Sequence, residues 1–149
     1  MNRVILKSKI RMPLAEDFDD IFLLLQQLWL DEELEKEEQR ESFLEDMESK
    51  NRCFLVAEHE SRVIGYASVT IRPTFWQDGN SCHIDEMVTD SRFRGKGIGT
   101  ALLDGITTLA KEKGCTRLEL ESSFFRKDAH GFYVSKGFEK QMMCFSKNI

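Results

Sequence analysis

The stretch from Ser81 to Gly114 constrains this chain more than any other. Ile98, Ala101, Leu102, Gly105, Ile106, Leu109 and Ala110 recur at i, i+3, i+4 and i+7, the spacing of a helix with one apolar face. Lys111 and Lys113 suit the negative end of its dipole, and Gly114 is a natural stop. Directly ahead stand Gly95, Gly97 and Gly99, interleaved with Arg92, Arg94 and Lys96. Ahead of those, Ser81 to Thr89 reads as a strand. A strand that turns through glycines into an amphipathic helix needs a sheet for that helix to cover, so the chain is expected to be mixed α/β.

The flanking sequence supplies the rest. Arg3 to Ile10 reads as a first strand. Leu14, Phe18, Ile21, Phe22, Leu25, Leu28 and Trp29 give a helical face, with Pro13 where a first turn tolerates it. Between Asp31 and Glu48, ten residues are Asp or Glu, and Phe43, Leu44 and Met47 suggest a short amphipathic helix there. Cys53 to His59 and Val63 to Ile71 read as a hairpin across Glu60 to Arg62. Residues 72–80, RPTFWQDGN, are turn chemistry, with Asp78-Gly79-Asn80 leading into the third strand of this group. Thr116 to Ser122 is a further strand, Ala129 to Lys136 a short helix stopped by Gly137, and Gln141 to Ser146 a last strand. The expected order is β-α-α-β-β-β-α-β-α-β in one domain, 1–149.

Composition narrows the function. At 149 residues and 41% hydrophobic the chain suits one soluble core. A net charge of −5 argues against a general nucleic-acid binder but leaves room for a local anion site. The apolar run at Val4 to Leu6 is too short for a signal peptide. Ile21 to Leu30 is broken by Gln26 and Gln27 and falls short of the about 20 residues that span a bilayer. The expectation is a cytoplasmic protein without a membrane partner. Cys53, Cys82, Cys115 and Cys144 lack C-x-x-C spacing, so no metal site is expected and they read as small buried hydrophobes.

Successive glycines allow left-handed backbone and close approach to a ligand. The first turn of a helix leaves amides unpaired and favours an anion. With three cations around them, the glycines read as a phosphate or diphosphate cradle. The P-loop pattern G-x-x-x-x-G-K-[ST] fails here. The dinucleotide pattern G-x-G-x-x-G finds Gly95 and Gly97 but Thr100 in the third glycine's place. Glu119 stands where the ribose-binding acid of that pattern would, so a nicotinamide-dependent oxidoreductase stays open.

Arg94-Gly95-Lys96-Gly97-Ile98-Gly99 has the form R-x-x-G-x-G. Downstream, Ala129-His130-Gly131-Phe132-Tyr133-Val134-Ser135-Lys136-Gly137-Phe138 has the form A-x-x-F-Y-x-x-x-G-F. In order and separation the two blocks resemble the GNAT (GCN5-related N-acetyltransferase) superfamily. The longer RKDAHGFYVSKGF is similar to aminoalkylphosphonate and aminoglycoside 6′-type small-amine acetyltransferases. The resemblance implies a GNAT-like, mostly antiparallel sheet flanked by helices, with acetyl-CoA as co-substrate. It implies that the backbone of Arg94, Gly95, Lys96, Gly97, Ile98, Gly99 and Thr100 holds the diphosphate. Met87, Val88 and Thr89 would pair with the pantetheine arm, an amide near Val88 polarising the thioester. Tyr133 falls on the family's hydrogen-bond donor to the departing thiolate. The pantetheine-contacting Asn that many family members carry just before the last helix is absent from Ser122-Ser123-Phe124-Phe125-Arg126; either Ser123 or Arg126 substitutes, or the contact is missing.

An amine acceptor is protonated at neutral pH and needs a proton acceptor nearby. Glu86 is the first candidate, then Asp85, then His83. Alternation puts Asp85 and Glu86 on opposite faces of their strand, with His83 on Asp85's face. Glu119 and Glu121 share a face of the next strand. His130 is open between substrate contact and a structural bond. The acidic stretch reads as a wet helix face rather than an acceptor lining. Phe75 and Trp76 are open between a lid and a dimer contact. The expected partner is a small-molecule amine, with a homodimer common in the resembled family. A non-catalytic acyl-CoA sensor is the alternative of another class.

Overall fold

The computed structural model describes residues 4–76 and 78–149. Two compact units emerge, residues 1–119 and 120–149. In the first, β1 (Lys9–Arg11), β2 (Arg52–His59), β3 (Arg62–Pro73), β4 (Asn80–Thr89) and β5 (Cys115–Leu120) form one five-stranded sheet in chain order, β5 reaching the boundary. The pairs β1–β2, β2–β3 and β3–β4 are antiparallel. Helices α1 (Phe18–Leu28), α2 (Lys36–Met47) and α3 (Ile98–Glu112) complete it. The expected first strand shrinks to Lys9–Arg11, where pairing with Val56 to Glu58 exists; Arg3 and Gln77 lie outside the described residues.

Alternation along the strands sorts the core into two layers. Phe54, Val56, Tyr66 and Val88 pack with Phe18, Ile21, Phe22, Leu24 and Leu25 of α1 and Phe43 of α2. An aromatic chain runs through this layer: Phe18 to Phe43 at 5.4 Å, Phe43 to Phe54 at 5.1 Å, Phe54 to Tyr66 at 6.1 Å between centroids. Phe43 alone of α2 is buried, and Leu44 is 40% exposed. So α2 is held by a single anchor, with Met47 only partly buried against it, rather than by the expected three-residue face. The opposite layer belongs to α3, whose Ile98 and Leu102 close on Gly65, and whose Gly105 lets Ile10 and Leu55 approach. The helix stops as expected, with Gly114 at φ +70°.

The second unit holds α4 (Lys127–Ser135), stopped by Gly137 at φ +88°. Gln141 to Ser146, expected as a last strand, has no regular structure. A strand exists only through its ladder, and alternation alone supplies no partner.

Candidate active site

The two layers set up the site because the apolar face of the sheet ends partway along the strands. Reading across β2, β3 and β4, one row is Val56–Tyr66–Val88 and belongs to the core. The next is Phe54–Ser68–Glu86, and the next Arg52–Thr70–His83. The face therefore passes from apolar to polar within three rows. Asp85 has no partner in this register, because Ser68 pairs with Glu86 and Val69 with Ile84. It is the extra residue of a β-bulge. That slip corrects the alternation argument: Glu86 and Asp85 do not point to opposite faces. Ser68 Oγ donates to Glu86, and Thr70 Oγ1 donates to Asp85 Oδ2 at 2.5 Å. Ser68 and Thr70 share a face, so both carboxylates do too.

Each acid is differently held. His83 Nδ1 lies 2.8 Å from Asp85 Oδ1. A carboxylate only accepts, so Nδ1 donates in this bond. Burial pushes the Asp85 carboxyl up, but the hydrogen bonds from His83 and Thr70 more than offset it and leave it below the usual carboxylate range. Glu86 faces Arg52, whose Nη2 is 3.8 Å away and whose Nη1 pairs with Asp46 of α2 at 2.9 Å. The Glu86 side chain keeps 20% of its exposure, enough to meet a ligand. Arg52, Ser68 and Thr70 carry no motif. Their only trace in the sequence is polarity at alternate positions of strands otherwise rich in apolar residues.

At the far end of β4 the chain enters the glycine turn. Val88 is buried among the α1 side chains, so it offers a ligand only its backbone; Met87 and Thr89 flank it, half-buried. Asp90 then caps a short turn, Ser91–Phe93. It accepts from the Arg92 amide at 3.0 Å and from the Arg92 guanidinium at 2.7 Å, and the latter bond holds its carboxyl below the usual range. The Ser91 amide donates to Gln27 Oε1 of α1 at 2.9 Å. Gly95 and Gly97 are both left-handed, φ +74° and +89°. Gly97 caps α3 with no side chain of its own. The first bond of the helix runs from the Ala101 amide to the Gly97 carbonyl, 3.0 Å. The amides of Ile98, Gly99 and Thr100 thus lie ahead of the helical ladder. Ile98 is 1% exposed and contributes through its amide only. Arg94 Nε donates to the Thr89 carbonyl at 3.3 Å, and Lys96 Nζ lies 5.2 Å from the Phe93 ring centre. A methyl group at Gly95 would meet nothing within 4 Å, so this side of the turn is open to a ligand. Amides without helical partners, a positive dipole end and cations fit a diphosphate.

The other expected residues separate. Glu119 accepts from Ser81 Oγ at 2.8 Å and from Arg117 Nε at 2.9 Å. The sheet pairs antiparallel from β1 to β4, whereas a dinucleotide fold needs parallel strands, so the nicotinamide reading falls. Glu121 lies past the end of β5 at Leu120 rather than beside Glu119 on a strand. Phe75 and Trp76 are exposed in the β3–β4 loop. In the second unit, Tyr133 packs edge-on against Phe132 and Phe138 at 5.3 and 5.4 Å between centroids. Burial pushes its phenol up to about 12, against a smaller opposing pull from Arg126. The Ser123 carbonyl accepts from His130 Nε2 and from the Arg126 amide, both at 3.0 Å. That assigns His130 a structural bond. Among the described residues no group of acids, histidines and cysteines is arranged to hold a metal ion, and no helix is long and apolar enough to cross a membrane.

The sequence profile of the Acetyltransferase (GNAT) family matches residues 16–138. The chain belongs to the GNAT family. GNAT relatives include an aminoalkylphosphonate N-acetyltransferase of Salmonella typhimurium, 27% identical over 141 residues, covering 95% of this chain and 91% of that one. A glucosamine 6-phosphate N-acetyltransferase of Trypanosoma brucei brucei is 36% identical over 85 residues, 54% of this chain. There the match spans 56% of the relative's own length. The crystal structure of glucosamine-6-phosphate N-acetyltransferase from Arabidopsis thaliana superposes with a TM-score of 0.81 at 28% identity, covering 96% of this chain and 99% of the other. This GNAT protein is an acyltransferase with acetyl-CoA as its acyl donor.

Proposed function

We propose that the protein acetylates a primary amine of a small molecule by direct attack of the amine on the thioester of acetyl-CoA. The observation that carries the reading is the polar end of the sheet face, where a β-bulge turns Glu86 and Asp85 to the same side. An alkylammonium has a pKa of about 10.4, so less than about one molecule in a thousand is free base at pH 7. Two carboxylates on one face attract the cation. Glu86, partly exposed, takes its proton directly or through water. Asp85 is committed to His83 and Thr70 and acts as fixed negative charge. Acetyl-CoA supplies an activated acyl group. The C–N bond forms as the C–S bond breaks, and the thiolate leaves with a hydrogen bond from Tyr133.

The phenol of Tyr133, raised to about 12, stays protonated at neutral pH, as such a donor must. The amides of Arg94 to Thr100 hold the diphosphate, the backbone of Met87, Val88 and Thr89 the pantetheine arm, and Ser123 or Arg126 its remaining contact. The names of the Salmonella and trypanosome relatives support a small amine acceptor. The family match runs through both compact units, which supports counting them as one domain. A homodimer in the cytoplasm completes the reading, and sedimentation checks the dimer.

Thiol release from acetyl-CoA against a panel of aminophosphonates, amino sugars, polyamines, amino acids and peptides tests the proposal. Turnover is expected with small amines. Glu86→Gln should lower kcat by about 10²–10⁴, and Tyr133→Phe should lower it as well. Turnover with peptides alone would overturn the acceptor class. Binding of acetyl-CoA without release of its thiol in the presence of any amine would make the protein a sensor.

A further inference from the structure

The glycine turn is touched by a segment that no motif includes. The Leu6 amide donates to the Lys96 carbonyl at 2.9 Å. Next to it, Ile5 covers Gly97: a methyl group on Gly97 would lie 3.3 Å from Ile5 Cγ2. The segment is fixed one residue further on, because a carbonyl only accepts and the Lys7 carbonyl therefore accepts a hydrogen bond from His59 Nδ1–H, 3.0 Å away. His59 in turn lies edge-on to Phe93, 6.1 Å between ring centres, at the start of the same turn. Yet Val4 and Ile5 are 74% and 79% exposed. Burial of their apolar surface does not account for where they lie.

What the Leu6 bond does follows from peptide geometry. A trans peptide is planar, with its C=O and N–H pointing in opposite directions. Holding the Lys96 oxygen toward Leu6 therefore aims the Gly97 N–H away from Leu6, out of the turn. The reversed plane would put a carbonyl oxygen where an anion needs a donor. Such a reversal is easy only beside a residue that tolerates positive φ, and Gly97 at φ +89° is that residue. The glycine that makes the cradle possible also leaves its central peptide free to turn over.

We propose that residues 5–7 are a lock that selects the anion-binding orientation of the Lys96–Gly97 peptide. Leu6 and Ile5 are positioning residues for the acetyl-CoA turn. This rests on the family's use of that turn for the donor.

By reciprocity, a ligand that favours one orientation must strengthen the Leu6 bond by the factor by which that bond strengthens the ligand. Hydrogen exchange at the Leu6 amide of the unmodified protein should slow three- to tenfold beyond the global change when coenzyme A is saturating. Leu6→Pro removes the donor and should weaken coenzyme A binding, measured by calorimetry, three- to tenfold. The KM for the amine should stay unchanged. In that variant the Gly97 amide resonance should broaden by exchange between two orientations. His59→Ala, which frees the segment but keeps the Leu6 amide, should give a smaller loss of the same kind and serves where the proline variant folds poorly. Unchanged Leu6 exchange in the wild type, or equal losses for donor and acceptor in the variants, would overturn the lock. Failure of the wild type to bind coenzyme A at all would instead overturn the reading of the turn.

Discussion

Gly97 shows how much one residue's conformation decides. An L side chain in the left-handed region costs roughly 1–2 kcal/mol, and Gly95 and Gly97 share that cost. Their surroundings differ, since a methyl at Gly95 meets open space and one at Gly97 meets Ile5 at 3.3 Å. Gly95→Ala should lower stability by about 1 kcal/mol, and its methyl, standing on the side of the turn left open to the diphosphate, should weaken coenzyme A binding. Gly97→Ala should cost more and should also weaken binding, because moving the chain there moves a cradle amide. Removing the obstacle in Ile5→Ala/Gly97→Ala should recover the difference. Urea midpoints and coenzyme A titration of the three variants check this; equal losses of stability at the two glycines would show that Ile5 exerts no pressure. The glycines were legible in the sequence because few other residues serve that backbone. Ile5 and Leu6 were not, since nothing local marks a contact ninety residues away. Asp85 misled for a related reason: a bulge is a property of two strands, and the periodicity of one strand runs straight through it.

Among the elements, α3 was the most legible, because its apolar stripe, its glycine entry and its glycine stop are all local chemistry. Its seating on the sheet was less so. Gly65 of β3 looks like a weak point in a strand, yet it is where α3 comes closest. A methyl there would lie 2.9 Å from Ile98 Cγ2, 3.0 Å from Leu102 Cδ1 and 3.3 Å from the Ala57 methyl. Ile98 and Leu102 are fully buried and cannot swing aside. Gly65→Ala should therefore destabilise by about 1–3 kcal/mol through overpacking, although alanine costs less backbone entropy than glycine. Gly131 of α4 is the contrasting case, with nothing within 4 Å of the added methyl. Gly131→Ala should gain roughly 0.5–1 kcal/mol of helix stability. Opposite signs in thermal melts, with Gly65→Ala lower and Gly131→Ala higher, are the expected outcome; a neutral Gly65→Ala would mean that α3 is loosely seated. The last strand, 141–146, failed as an expectation because the period of its side chains says nothing about which edge receives it.

For the whole molecule, the carboxylates set the acid limit of stability. Hydrogen bonds from Arg11 to Asp17 and from Arg92 to Asp90 hold both carboxyls below the usual range, and Asp85 is held there by His83 and Thr70 against its burial. A folded pKa below the unfolded one contributes stability in full above the unfolded value, about 3.9 for Asp, and loses it as pH falls through the folded value. The alkaline side works in reverse. Burial pushes the Cys82 thiol up to about 12, so its contribution is complete below the unfolded thiol value of about 8.5 and is lost as pH rises above it. From these groups, stability should be level from about pH 5 to pH 8 and fall on both sides. The acid fall is steepened because the 26 acidic residues lose the charge that balances 21 Lys and Arg, leaving a self-repelling cation. Asp90→Asn isolates one contribution: its side chain is 7% exposed and paired with Arg92 at 2.7 Å. The variant should be less stable than wild type at pH 7, and the gap should narrow as pH falls through the lowered folded pKa of Asp90. Urea midpoints between pH 2 and 7 measure the gap, and a gap independent of pH would show that Asp90 stabilises the glycine turn by its shape and not by its charge.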